Sequence, residues 1–305
     1  MKYWSITLCI GWLLSTTATG ASLEPVEVAP NVYAIVGDLG NRSAKNLGNN
    51  ATFGLIVTAD GAVLIDSGGT YQGAQAIHRV VRQLTDQPVK WVINTGGQDH
   101  RWFGNDYFSA QGAQIISSRA AREDHQARLS DQVGRMSSLV GDDIFAGTRE
   151  RYADRLFDDE LDLKLAEVVL KLRHVGQAHT PGDLFVWLPA QRIMFSGDIV
   201  YVERMLGVGA QSHSGSWIKV FEAMAAYQPE VVVPGHGHPV SLDGAKQDTY
   251  QYLLDLRQRV GEFLEADGDA SDIGQVDMTD YQYLLNYASL SGRNALKVYT
   301  ELEWE

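Results

Sequence analysis

Asn94-Thr95-Gly96-Gly97-Gln98-Asp99-His100-Arg101-Trp102-Phe103-Gly104-Asn105 is the stretch of this 305-residue chain that decides the fold. It follows Val89 to Ile93, a short apolar run of the buried-strand type, and leads into a helical pattern from Phe103 to Ala110. A Gly-rich loop between a strand and a helix places its polar side chains at the strand's carboxyl end, the edge where α/β proteins gather ligands. His100, with Asp99 beside it, therefore stands where chemistry is expected.

Three further loops have the same setting. Gly176-Gln177-Ala178-His179-Thr180-Pro181-Gly182-Asp183 follows the strand pattern Glu167 to Leu172, Ser196-Gly197-Asp198 follows Ile193 to Phe195, and Pro234-Gly235-His236-Gly237-His238 follows Val231 to Val233. Three imidazoles and one carboxylate thus fall at successive strand ends. Nitrogen and oxygen donors together suit zinc, iron or manganese, whereas calcium and magnesium prefer oxygen alone. Of the remaining histidines, His238 reads as a loop residue, His213 as a candidate substrate contact, and His78, His125 and His174 as structural. Trp102, Tyr201, Met205 and Trp217 are candidates for a pocket wall, with ordinary core packing as the alternative.

Composition narrows the function. With 45% hydrophobic and 21% charged residues the chain has the profile of a globular protein. A net charge of −13 repels polyanions, so nucleic acid is not an expected partner. Residues 1–21 read as an export signal, with Met1-Lys2, the apolar stretch Trp4 to Leu14 and the small residues Ala18-Thr19-Gly20-Ala21. The expected location is the periplasm or the outside, with no stable membrane anchor once the signal is removed. Cys9, the single cysteine, lies inside that signal, which rules out disulfides, thiolate nucleophiles and cysteine-ligated zinc in the mature chain. A G-x-x-x-x-G-K phosphate loop and a G-x-S-x-G elbow are both missing, so nucleotide and serine-esterase chemistry lose support.

Along the rest of the chain, Val26 to Val36 reads as an edge strand, and Thr52 to Val57 with Ala62 to Ile65 as a hairpin around Ala59-Asp60-Gly61. Ala74, Ile77, Val80, Val81 and Leu84 share a helix face. The polar segment at about 119–159 reads as an inserted flap or set of surface helices without a core of its own. Leu184 to Trp187 is another strand, Ser216 is placed to cap a helix, and Leu253, Leu256, Val260 and Phe263 mark one more. A helical extension from about Met278 to Leu302 ends the chain. The expectation is an α/β fold of two mixed sheets with helices outside, in one domain spanning residues 22–305.

The order of these loops resembles the metallo-beta-lactamase fold superfamily. The likeness rests on Asp66-Ser67-Gly68-Gly69, Asn94-Thr95, Gly104-Asn105, Ala178-His179-Thr180-Pro181-Gly182-Asp183, Phe195-Ser196-Gly197-Asp198 and Val233-Pro234-Gly235-His236-Gly237, and runs from about Val26 to Leu264. It implies an αββα four-layer sandwich and zinc-dependent hydrolysis, with Asp66 supporting the ligands. The departure lies in the family's His-x-His-x-Asp-His loop. Without gaps, its first two histidines become Gly96 and Gln98, its aspartate His100 and its last histidine Arg101; sliding by one residue instead matches Asp99-His100 to the Asp-His pair. Either register keeps His100, His179, Asp198 and His236 and damages the first metal site.

What the resemblance then implies is an exported hydrolase with one transition-metal ion, zinc first and iron or manganese next. It would act on a small ester, thioester, lactone or lactam by attack of metal-bound hydroxide, with Asp99 as candidate base. Gln98, Arg101 and His213 would assist ligands or substrate. The alternative is a non-catalytic protein that binds a ligand or partner in the old pocket, Arg101 meeting an anion, as an accessory to a quinoprotein dehydrogenase system.

Overall fold

Side-chain alternation along the first strands divides the protein into layers. In β2 (Val32–Val36) and β4 (Gly61–Ile65), Val32, Ala34, Val36, Val63 and Ile65 face one buried cluster while Ile35, Ala62 and Leu64 face another. Such strands are apolar on both faces because both are covered. The computed structural model describes residues 23–305; the export signal read at 1–21, and Cys9 with it, lies outside them.

The first sheet has seven strands in sequence order: β1 (Glu24–Ala29), β2, β3 (Thr52–Thr58), β4, β5 (Val89–Ile93), β6 (Gln114–Ser118) and β7 (Arg155–Phe157). Pairing is antiparallel as far as β4 and parallel from β4 to β7. The second sheet has the order β12-β11-β10-β9-β8, from β8 (Glu160–Leu165), β9 (Val168–Arg173), β10 (Phe185–Leu188), β11 (Ile193–Phe195) and β12 (Val231–Val233), with only β11 and β12 parallel. Between the sheets Ile56, Ile93 and Ile116 meet Leu170, Leu172, Val186 and Phe195.

Helices cover the outer faces. On the first sheet lie α1 (Tyr71–Leu84), the single turn α2 (Asp99–Trp102), α3 (Asn105–Ala110), α4 (Arg119–Ala127), α5 (Leu129–Val140) and α6 (Asp142–Phe145), with Ile77, Val81 and Phe108 packing against Leu55, Leu64 and Val92. On the second lie α7 (Ser214–Ala225), α8 (Leu242–Ala245), α9 (Gln251–Glu265) and α10 (Tyr287–Leu302), whose Trp217, Phe221, Leu253, Leu256 and Val298 cover Phe185 and Met194. The result is the four-layer αββα sandwich. No described helix is long and apolar enough to cross a membrane.

Several local expectations need correction. The edge strand read at Val26 to Val36 is two strands, broken at Asn31, whose φ of 64° turns the chain back on itself. Strand β8 is an addition, half-exposed and interrupted by charges at Glu160, Asp162 and Lys164, so its apolar pattern is weak. The polar segment contains β7, which closes the first sheet. Its helices α5 and α6 pack Met136 and Val140, with Ile144 and Phe145, on Trp102 and Phe103. Helix α7 is capped by His213, whose Nδ1 accepts from Ser216 N at 3.2 Å, rather than by Ser216. The extension is a single turn at Thr279–Tyr281 followed by α10, separated by Asn286 at φ 69°.

Candidate metal centre

Buried polar groups at the ends of β4, β5 and β11 shape the site. Asp66, just past β4, adopts φ 63° and accepts from Thr95 N and Thr95 Oγ1, both at 2.7 Å, which ties the ends of β4 and β5 together. Asn94 and Asn105 exchange amide hydrogen bonds at 3.0 and 2.8 Å, and Asn94 also donates to Arg101 O at 2.8 Å. These contacts fold the loop around α2 and aim its side chains at the second sheet.

Arg101 is fully buried and uses every donor it has. Nε and Nη2 fork onto Asp198 at 3.1 and 2.6 Å, Nη1 reaches Asp66 Oδ2 at 2.9 Å and Thr52 O at 3.2 Å, and Nη2 also reaches Gly235 O at 2.9 Å. The expectation that Arg101 meets an anionic ligand is therefore overturned: no donor is left, and its partners are the protein's own carboxylates. The carboxyl of Asp198 is opposed by burial but held well below its usual range by Arg101, His100 and His236.

Among the described residues, His100, Asp198 and His236 offer donor atoms that all lie within 4.8 Å of one another. His236 Nε2 is 3.2 Å from Asp198 Oδ1, and His100 Nε2 is 3.5 Å from Asp198 Oδ2. Two ligands about 2.05 Å from a tetrahedral ion stand about 3.3 Å apart, so these separations are compatible with one shared ion. Nδ1 of His236 donates to the carbonyl of Asn50 at 2.7 Å, which leaves the lone pair on Nε2, and burial holds this imidazole neutral. A lone pair facing a carboxylate oxygen needs a proton or a cation between them. Nε2 of His100 is likewise buried without a hydrogen-bond partner. The donor set fits a transition-metal ion.

His179 stands outside this group. Its Nδ1 donates to Gly207 O at 3.0 Å, and Nε2 meets Gln98 Nε2 at 2.6 Å, too close for an ion to sit between the two side chains. Burial lowers His179 to about 4. At Gly96 a Cβ would overlap Asp183 Oδ1, so a histidine there has no room. Asp183 accepts from Thr180 N at 2.7 Å, and burial, reinforced by the charge of Asp198, lifts it to about 8. From outside, Arg128 and Gln132 of α5 and its N-terminal junction hold the Gly97 carbonyl at 3.1 and 2.8 Å, His125 meets Gly96 O at 3.0 Å, and α4 rests so closely on Gly182 that any side chain there would strike Ala121. The space around Gly96 and Gln98 is thus filled by protein side chains.

Asp99 accepts from Arg42 Nη2 at 2.6 Å and from His100 N at 2.8 Å, and its Oδ1 lies 3.2 Å from His100 Nδ1. Burial works against ionisation, but Arg42 and His100 outweigh it and hold the carboxyl well below the usual range. Arg42 Nη2 is also 2.6 Å from His100 Nδ1, so the guanidinium bridges Asp99 and the His100 ring, while Asp99 Oδ2 is left without a partner. His213, exposed at the start of α7, caps that helix. Of the aromatic candidates, Tyr201 stacks on His236 with centroids 4.5 Å apart and Trp217 lies 5.4 Å from His179. Trp102 stacks on His125 at 4.4 Å, and Met205 belongs to the core. The sequence reading missed Arg42, Asn50 and Arg204; each lies in a loop without a motif, and the one available signal was their closeness to Gly-rich turns.

The chain belongs to the metallo-beta-lactamase superfamily, which it matches over residues 48–236, more than half its length. Metal ions are the rule in that superfamily. Among individual relatives, the type 2 metallo-beta-lactamase of Elizabethkingia meningoseptica is 23% identical over 260 residues, covering 83% of this chain and 93% of that enzyme. The linear primary-alkylsulfatase of Pseudomonas sp. (strain ATCC 19151) is 21% identical over 221 residues, 61% of this chain but only 41% of that longer enzyme. Similar solved structures include a metallo-beta-lactamase from Pontibacter korlensis, at a TM-score of 0.62 and 20% identity over 76% of this chain and 99% of that one. A double mutant of the sec-alkyl sulfatase PisA1 superposes at 0.70 and 15% identity over 92% of this chain and 50% of that one.

Proposed function

We propose that this protein is a hydrolase that uses one transition-metal ion, zinc first, held by His100, Asp198 and His236. The carrying observation is the spacing of those donors, 3.2 and 3.5 Å about Asp198, together with the Asn50 carbonyl that leaves the His236 lone pair facing Asp198. An ion there supplies Lewis acidity, lowering the pKa of water toward roughly 7 and polarising a carbonyl or sulfuryl oxygen. The rest of the work falls to side chains. Arg101 fixes both oxygens of Asp198, Asp99 holds the His100 backbone N–H and the Arg42 guanidinium that meets the His100 ring, and Tyr201 covers one face of His236 against solvent. The substrate is a small molecule with an ester, thioester, lactone or lactam bond. The contacts that fill the space around Gly96 and Gln98 support one ion rather than two. The apolar leader at residues 1–21 supports export.

The test is metal analysis of protein grown with zinc, iron and manganese, alongside His236→Ala and His100→Ala. About one ion per chain is expected in the parent and at least a tenfold loss of affinity in each variant. Metal-free parent protein, with no turnover across the four substrate classes, overturns the reading in favour of a binding protein on the same fold.

A further inference from the structure

The segment from Ile199 to Glu203 leads from Asp198 toward the covering helices and runs beside the His236 loop. Val202 N donates to His236 O at 3.0 Å and Gly235 N to Val200 O at 2.9 Å, which joins the two stretches by an isolated parallel bridge at Tyr201 and His236. Tyr201 is 4% exposed, and its ring lies over the His236 imidazole with centroids 4.5 Å apart and planes 22° from parallel. A Cβ on Gly237 would strike Val202, so the two stretches have no slack between them. A displacement of Tyr201 is therefore passed on to the His236 ring.

In a residue this buried, a backbone group without a partner costs as much as a lost hydrogen bond. One side chain serves both groups of Tyr201. Thr249, 0% exposed, accepts from Tyr201 N at 2.9 Å and donates to Tyr201 O at 2.6 Å through the same Oγ1. It belongs to a π-helical turn, Lys246–Tyr250, set between α8 and α9. Such turns are rare and recur at functional sites. Asp248 extends the grip, its Oδ2 accepting from Glu203 N at 2.9 Å and its Oδ1 from the Tyr283 hydroxyl at 2.8 Å. Glu203 is held at φ 64°, a conformation that a residue with a side chain keeps only where its surroundings impose it. On the other side Tyr250 stacks on Phe221 with centroids 5.1 Å apart and donates to Glu222 at 2.7 Å, which anchors the turn to α7.

We propose that Thr249 is a positioning residue for the metal centre: it fixes Tyr201, and through the Tyr201 ring it seats the His236 imidazole against the Asp198 carboxylate. This deepens the reading of His100, Asp198 and His236 as one metal site and rests on it for the ion, though not for the seating of His236. Groups that orient a ligand from behind govern metal affinity nearly as strongly as the ligands do.

Two readouts on the full chain test it. In metal-free protein, NMR follows exchange with water of the His236 Nδ1 proton, which the Asn50 carbonyl accepts at 2.7 Å. In cobalt(II) titrations, the affinity and the visible ligand-field bands report the coordination geometry. Thr249→Val keeps the shape of the side chain and loses both hydrogen bonds, whereas Thr249→Ser keeps them. Val260→Ala loosens the buried face of α9 at a side chain that makes no hydrogen bond. In Thr249→Val the cobalt affinity is expected to fall by about tenfold, with shifted bands and faster exchange of the His236 proton, and Thr249→Ser is expected to restore all three. Val260→Ala should lower the urea midpoint and leave all three as in the parent. Thr249→Ala serves if Thr249→Val does not fold. Unchanged exchange and bands in Thr249→Val, or equal changes in Val260→Ala, overturn the positioning role and leave the metal site standing. A parent chain that binds no cobalt overturns the metal reading instead, and exchange of the His236 proton then decides the role of Thr249 by itself.

Discussion

Gly96 and Gln98 leave the loop before α2 closed against its neighbours. Gln98 gives its amide to His179, and Gly96 yields its space to Asp183. Restoring histidine at both positions is therefore expected to leave the metal stoichiometry at one, because Asp183 still occupies the place of the first imidazole. Adding Asp183→Ser to Gly96→His and Gln98→His should permit a second ion; two ions in the double variant, read by elemental analysis, would show that Asp183 moves aside. His100 and Gln98 were legible as residues, since polar side chains in a Gly-rich loop after a strand are exceptional. The partners of Arg101 were not, because Asp66 and Asp198 lie 35 and 97 positions away along the chain.

At the scale of elements, α4 and α5 form a clamp on the site loops. The segment is polar where it faces solvent, and its few apolar side chains, Met136 and Val140, are spent on Trp102 and Phe103, which continue the metal-site loop. Gln132 links the two parts through Trp102 Nε1 at 2.9 Å and the Gly97 carbonyl. Met136→Ala is expected to cost about 2–5 kcal/mol, measured by urea unfolding, and to make the chain more susceptible to proteolysis around 141–152. Loss of stability below about 0.5 kcal/mol, the level of an ordinary surface substitution, would mean the clamp is loosely packed. The helical periodicity of this segment was readable, but its docking face was not. Charged residues dominate its composition, and only the position of Trp102 reveals which side is covered.

The whole molecule's stability should carry the imprint of a buried acid. Asp183 is raised from an unfolded value near 4 to about 8, so the folded protein holds a proton that the unfolded chain gives up. Its contribution is fully present below pH 4 and is lost progressively as pH rises through 8, by on the order of a few kcal/mol. Urea midpoints at several pH values, followed by the buried tryptophans, should fall across that range in the parent and flatten in Asp183→Asn; parallel curves would dismiss Asp183 as the cause. By itself the sequence determined the two sheets, the covering helices and the strand ends that carry His100, His179, Asp198 and His236, because alternation, helical spacing and Gly-rich turns are local properties of the chain. Only the tertiary structure decided that His179 is drawn to Gln98, that Arg101 is spent on two carboxylates, and that Arg42 is paired with Asp99. Those outcomes depend on distances between residues far apart in sequence, where burial makes each charge seek whichever partner the backbone path brings near.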